Sequence, residues 1–334
     1  MTTDESAASS LVGQGEFQYE PLPGWDQLPE GWSYVEAVGA ATDSADRLYI
    51  FNRGEHPVIV LEPDGTFVRS WGEGAFVRPH GITIARDDTL YLSDDQDHTI
   101  RRYTPEGELL MTLGTSGQGS DTGVVDGNYR TIERPAGPFN LPTNLAIAPD
   151  GRLFICDGYG NCRVHRFSAD GEFELSWGEP GDGPGQFHLP HGIAVDSTGR
   201  VCLADRENSR LQWFSPDGEF LEEWTDLARP CEAWIGPDDV VYVAELGWHV
   251  GTDDQRPDET GGRVSIFDAG GNLQSRFGGG ADPYAPGDFA APHDIWADSR
   301  GDLYVAEVTV SAAVPRGVVG PDCPSLQKFR RVGG

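Results

Sequence analysis

The sequence predicts an all-β fold, a six-bladed β-propeller, on three observations. A strand pattern recurs six times, a shorter strand entered by proline precedes most copies, and a further strand, turn and closing strand follow them. Four short antiparallel strands per unit, repeated six times, describe propeller blades. The 44 Gly and 24 Pro supply the many turns such a fold needs.

The recurring strand reads Leu48-Tyr-Ile-Phe-Asn, Leu90-Tyr-Leu-Ser-Asp, Leu153-Phe-Ile-Cys-Asp, Val201-Cys-Leu-Ala-Asp, Val241-Tyr-Val-Ala-Glu and Leu303-Tyr-Val-Ala-Glu. Each is apolar, aromatic or β-branched, as a buried strand requires. The entry strands include Pro79-His-Gly-Ile-Thr-Ile and Pro190-His-Gly-Ile-Ala-Val. Third strands such as Arg210-Leu-Gln-Trp-Phe lead into turns such as Pro216-Asp-Gly or Pro105-Glu-Gly. The units close at Trp71-Gly72, Leu113-Gly114, Trp177-Gly178 and Phe277-Gly278. The acidic turns recur once per unit, which turn chemistry explains better than metal binding.

The sixth unit stops at Leu326-Gln-Lys-Phe-Arg-Arg, without a fourth strand. An open strand edge is a liability, so an N-terminal strand near Phe17-Gln-Tyr-Glu is expected to close the ring. The expected organisation is a disordered N-terminal tail over 1–15 and a single propeller domain over 16–334. Gly-, Asp- and Pro-rich insertions at about 115–140, 248–263 and 309–324 read as loops, walls around one mouth.

A net charge of −30 argues against nucleic acid and anionic membrane as partners, because both would be repelled. No apolar run is long enough to cross a membrane. The start, Met1-Thr-Thr-Asp-Glu-Ser-Ala-Ala, lacks the basic and apolar regions of a signal peptide. Five cysteines (Cys156, Cys162, Cys202, Cys231, Cys323) form neither a paired framework nor a CxxC. These features predict a cytoplasmic monomer. Arginine dominates the cations, with Lys328 the single lysine, which suits either a saline cytoplasm or a GC-rich genome. A small anionic, carboxylate-bearing substrate would need local arginines to overcome the overall field.

Aligning the units at their entry strands places His80, Thr143, His191, Cys231 and His293 after the entry prolines of blades 2 to 6, with Val38 in blade 1. First strands line a propeller's channel, so His80, His191 and His293 stand about 120° apart on one ring. The bland alternative is inheritance from one duplicated Pro-His-Gly-Ile unit. Against it, the alternate blades kept the histidine while those between them lost it. Three neutral imidazoles converging on one point suit a zinc-like ion with an open fourth position.

If first strands begin at the histidine face, second strands end there. The loops after second strands therefore overlook the ring, and they carry Arg53, Tyr159 and Arg206. In blade 2 the position of Arg53 and Arg206 is Asp95. A lone loop arginine is usually a solvated charge; two with a tyrosine over a histidine ring point to function. His188 precedes His191 by three residues, but Pro190 rules out a helical ligand pair. His56, His98, His165 and His249 fall in loops or outer strands and read as structural or solvated.

The stretch Gly185-Gln-Phe-His-Leu-Pro-His-Gly-Ile-Ala-Val-Asp-Ser-Thr-Gly resembles the NHL repeat. Phe51-Asn-Arg-Gly-Glu-His, Arg78-Pro-His-Gly-Ile-Thr, Cys156-Asp-Gly-Tyr-Gly-Asn-Cys-Arg, Leu189-Pro-His-Gly-Ile-Ala, Ala204-Asp-Arg-Glu-Asn-Ser-Arg and Ala291-Pro-His-Asp-Ile resemble, in order, segments of the peptidyl-α-hydroxyglycine α-amidating lyases. That resemblance implies a catalytic Zn2+ on His80, His191 and His293, a catalytic Tyr159, and active-site Arg53 and Arg206. It also implies a structural Ca2+ held by Asp294 and by main-chain carbonyls at Ala40 and Ile82. The chain departs from the family where Gly160 replaces a cysteine and where Cys202 matches one disulfide cysteine but Trp213 occupies its partner's position. Those departures bear on a peptide substrate more than on the chemistry.

The implied reaction cleaves a carbinolamide, an N-acyl- or N-carbamoyl-α-hydroxyglycine, to an amide (or urea) and glyoxylate. A tyrosine, ordinarily with a pKa of about 10, can serve as base where a metal and arginines stabilise its phenolate. Two other readings stay open. The same site suits a zinc-dependent hydrolase or hydratase of a lactone or small carbonyl compound. A non-catalytic NHL interaction module would hold no metal.

Overall fold

The computed structural model describes residues 11–250 and 260–333. Six antiparallel sheets form consecutive blades, each running first to last strand outward from the channel. The first strands are Ala37–Thr42, Pro79–Ile84, Pro142–Ile147, Pro190–Val195, Pro230–Ile235 and Pro292–Ala297. The second strands, Leu48–Asn52, Leu90–Asp94, Leu153–Asp157, Val201–Asp205, Val241–Glu245 and Leu303–Glu307, are buried along their whole length. Their apolar side chains alternate between the two faces of a blade and fill the wedges between blades.

Blade 6 takes its fourth strand from the N-terminus. Phe17–Pro21 pairs antiparallel with Leu326–Arg331, matching Tyr19 with Arg331 and Pro21 with Phe329. Tyr19 is fully buried between blades 5 and 6, its ring 6.0 Å from that of Phe277. A fifth strand, Val12–Gln14, folds back on the fourth and reaches blade 5, where the Gln14 amide donates to Ser275 Oγ at 3.0 Å. The tail expected over 1–15 therefore gives way to structure by Val12; residues 1–10 lie outside the described residues.

The insertions all stand on the side where first strands begin. Thr122 of the first donates to the Gly160 carbonyl at 2.5 Å. In the second, the Trp248 amide meets the Thr260 carbonyl, and 251–259 lie outside the described residues. The third is not a plain loop: Thr309–Ala313 and Val314–Arg316 wind into short helical turns. Val308 and Ala313 are buried in the adjoining core, which supplies the apolar anchor a loop lacks.

Candidate metal centre and active site

Every first strand is irregular at its second residue. In blade 4, Pro190 faces Asp205 and Gly192 faces Ala204, which leaves His191 as the extra residue of a β-bulge. The same shift falls at Val38, His80, Thr143, Cys231 and His293. A bulge interrupts pairing and re-aims a side chain. Six bulges thus stand at one level, and at three of them the re-aimed side chain is an imidazole that meets the other two near the axis.

The bulges are braced from below. The residue ending each second strand accepts a backbone amide from the loop entering its own blade. Asn52 accepts from Glu36, Asp94 from Val77, Asp157 from Asn140, Asp205 from His188, Glu245 from Ala228 and Glu307 from Ala290. All six are buried, so each bond is made where water cannot compete.

The three histidines meet in a near-equilateral triangle. Ring centroids lie 4.8 Å apart for His80 and His191, 4.7 Å for His80 and His293, and 4.8 Å for His191 and His293. One ligand atom from each lies within 4.8 Å of the others. Each Nδ1 contacts the main-chain carbonyl of the bulge residue in the next blade. His80 reaches Thr143 at 2.8 Å, His191 reaches Cys231 at 2.9 Å, and His293 reaches Val38 at 2.7 Å. A carbonyl only accepts, so Nδ1 carries the proton and Nε2 presents its lone pair to the centre.

Burial pushes all three pKa values down. For His80 the neighbouring His293 and His191 add to burial; for His191 Arg206 does; for His293, lowered to about 3, Arg53 does. Neutral imidazoles with an oriented second nitrogen are what a metal requires. His293 Nε2 is buried without a hydrogen-bond partner, a cost that an ion at the centre would remove.

Tyr159, Arg53 and Arg206 converge on this triangle. The Tyr159 hydroxyl lies 3.1 Å from His191 Nε2 and 3.3 Å from His80 Nε2. Arg206 Nη1 donates to the same hydroxyl oxygen at 3.4 Å, with its guanidinium carbon 5.6 Å from the ring centroid. Burial opposes the charge of Arg206, yet Glu207 and Tyr159 raise its pKa above the usual range. Glu207 also pairs with the fully buried Arg229 at 2.8 Å. Burial alone would raise Glu207; the two guanidiniums outweigh it and bring its carboxyl down to about 2.

Arg53 donates to the Pro79 carbonyl at 2.9 Å and to Glu36 at 2.7 Å, while its Nη2 is buried with no partner. Arg78 also belongs to the site, and the sequence reading missed it. It pairs with Asp95 at 2.8 Å and sets its guanidinium carbon 5.6 Å from the Tyr159 centroid. The signal was Asp95 itself, an acid where blades 1 and 4 carry arginine.

One residue deeper, three glycines alternate with polar side chains. A Cβ on Gly39 would stand 2.9 Å from Asp294 Oδ2, on Gly81 2.5 Å from Asn144 Oδ1, and on Gly192 2.7 Å from Glu232 Oε1. Asp294 accepts the amides of Ala40 at 2.9 Å and Ile295 at 2.9 Å; Glu232 accepts those of Ile193 and Ala233 and the Asn144 side chain. Burial raises the pKa of both carboxyls. Along a strand a residue's N–H and C=O leave the same edge, so the Ala40 carbonyl faces the side on which its amide meets Asp294. Among the remaining histidines, His165 is buried against Asp157 at 3.1 Å and His188 contacts Asn208, both outside the triangle.

This geometry defines a six-bladed β-propeller with a three-histidine centre at one mouth. The model of the NHL repeat matches residues 139–167 and 187–214, the central blades that carry Tyr159 and His191. The chain is an NHL-repeat propeller that resembles the amidating lyases. It is 31% identical over 351 residues to the peptidylglycine alpha-amidating monooxygenase of Rattus norvegicus, covering 91% of this chain and 33% of that protein. It is 30% identical over 307 residues to peptidyl-alpha-hydroxyglycine alpha-amidating lyase 1 of Drosophila melanogaster, covering 83% and 52%. The chain thus spans about a third to a half of the length of these relatives. The virginiamycin B lyase of Staphylococcus aureus superposes with a TM-score of 0.57 at 13% identity, over 97% of this chain and all of that one, a likeness of fold.

Proposed function

We propose that this protein is a metal-dependent carbon–nitrogen lyase that cleaves a small carbinolamide, an N-acyl- or N-carbamoyl-α-hydroxyglycine, to an amide or urea and glyoxylate. One observation carries the reading: three tautomer-locked imidazoles meet at one point, with the Tyr159 hydroxyl in contact with two of them and an unpartnered Arg53 Nη2 buried nearby. The lyase-named relatives support the same chemistry.

His80, His191 and His293 would hold a Zn2+ ion, since three neutral nitrogens with an open fourth position suit its catalytic coordination. When bound, such an ion supplies Lewis acidity to the substrate hydroxyl. Tyr159 takes the hydroxyl proton, with Arg206 stabilising the phenolate across a 3.4 Å contact. Arg53 Nη2 holds the substrate carboxylate by a charge-assisted hydrogen bond. Loss of the proton lets the carbon–oxygen double bond form and the amide nitrogen leave.

Asp294 with the carbonyls of Ala40 and Ile82 would hold Ca2+ deeper in the channel, where the donors are hard oxygens. The five cysteines, all buried and free, suit a reducing cytoplasm.

The test is direct. Purified protein is incubated with α-hydroxyhippurate and with ureidoglycolate, and glyoxylate is assayed. Glyoxylate from either supports the lyase; none from either, with metal bound, overturns it and favours a hydrolase or hydratase.

A further inference from the structure

We infer that Arg78 is a substrate-contacting residue of this mouth, which binds the acyl oxygen of the substrate and stabilises the amide leaving group. The inference rests on the lyase reading above and names the part of the substrate that Arg78 recognises.

Arg78 is built into the site rather than draped over it. Its backbone amide donates to Asp94 at 2.9 Å, and its carbonyl accepts the Asp95 amide at 3.3 Å. Its Nη1 donates to Asp95 Oδ2 at 2.8 Å. Asp95 is fully buried, so this ion pair fixes the guanidinium from behind. The side chain keeps 31% exposure, so it retains access to the mouth. The corresponding residues before the other two ligand histidines are Leu189 and Ala291, which carry no charge.

Their contacts among the described residues separate the roles of the arginines. Arg53 pairs with Glu36, Arg78 with Asp95, and Arg206 and Arg229 share Glu207. An α-hydroxyglycine substrate brings one carboxylate to these guanidiniums. Arg53, with its unpartnered Nη2, takes that group. Arg206 is engaged with the Tyr159 hydroxyl. Arg78 flanks the Tyr159 ring from blade 2 as Arg206 does from blade 4, and the acyl carbonyl is the polar part of the substrate left for it to bind.

That contact matters most as the bond breaks. Tyr159 removes the hydroxyl proton, and the oxygen's electron pair becomes the aldehyde C=O. The C–N bond breaks with its electrons going to nitrogen and, by resonance, to the acyl oxygen. The amidate then takes back one proton to give the neutral amide, with glyoxylate as the other product. A fixed guanidinium at the acyl oxygen stabilises charge that exists only along this path.

The experiment compares two unreactive ligands on the full chain. Hippurate carries the acyl carbonyl and the carboxylate; 4-phenylbutanoate has the same length and carboxylate but no acyl amide. Binding is measured by calorimetry for wild type, Arg78→Leu and Arg78→Lys. Because leucine would strand the buried Asp95, the pair Arg78→Leu with Asp95→Asn is measured beside it. Arg78→Leu, alone or in the pair, is expected to weaken hippurate about ten-fold and leave 4-phenylbutanoate within about two-fold, with partial recovery in Arg78→Lys. The kcat on α-hydroxyhippurate should fall about 100-fold, the scale of losing one oxyanion donor. Equal weakening of both ligands, no weakening of hippurate, or no hippurate binding to wild type overturns the assignment. Arg78-dependent hippurate binding without glyoxylate release from wild type sinks the lyase reading and leaves the Arg78 contact standing.

Discussion

Glu307 ends the second strand of blade 6 and ties down the loop that delivers His293. Its Oε2 accepts the Ala290 amide at 2.8 Å and the Ala291 amide at 3.0 Å, and its Oε1 accepts Gln327 Nε2 at 3.1 Å. The side chain has no exposure, and burial pushes its pKa from 4.5 up to about 7. Between those values the native state holds a proton that the unfolded chain has released. Stability from this group is therefore fully present below pH 4.5 and is lost as pH rises through 7. A rise of about 2.5 units at about 1.36 kcal/mol each makes this roughly 3 kcal/mol. Glu307→Gln keeps the shape but cannot ionise, and its poorer fit to two amide donors costs about 1 kcal/mol. Wild type should be the more stable at pH 4.5, and the variant should match or exceed it by pH 8. Urea unfolding followed by tryptophan fluorescence, at several pH values, gives the difference between the two proteins, in which other titrating groups cancel. A difference that stays constant from pH 4.5 to 8 would refute the assigned proton.

Three other outcomes are expected. His191→Ala should lose the bound metal that wild type retains, by elemental analysis, while His188→Ala should keep it. Tyr159→Phe should keep the metal and release glyoxylate at least about 100-fold more slowly, the scale of a lost general base. Tyr19→Ala should cost about 3–5 kcal/mol in urea unfolding, the range for emptying a buried aromatic site, and a loss below about 1 kcal/mol would mean the N-terminal strand does not close the ring.

The propeller was legible because its blades repeat. A pattern that recurs six times reports a common environment, and its alignment sets His80, His191 and His293 at one level. The bulge that aims them was not legible, because it is a mismatch in pairing between two strands. Arg78 was hidden for a related reason: it reaches Tyr159 from the loop before a first strand, whereas strand direction points to the loops after second strands. The strand Val12–Gln14 has only three residues, one a glycine, and so little β-propensity to read. Gly39, Gly81 and Gly192 carry no signal of their own in the sequence, because the room they yield to Asp294, Asn144 and Glu232 is needed by side chains of other blades.

The carbonyl that orients each histidine belongs to the following blade, and for His293 that blade is the first one. Val38 and His293 are 255 positions apart, so this last bond joins the first blade to the sixth. During synthesis, two imidazoles can be oriented while the third nitrogen waits for residue 293 to emerge and for the circle to join. Tight retention of a metal would therefore report that the last blade has met the first, and a ring left ajar would lose a bound ion before it lost its strands.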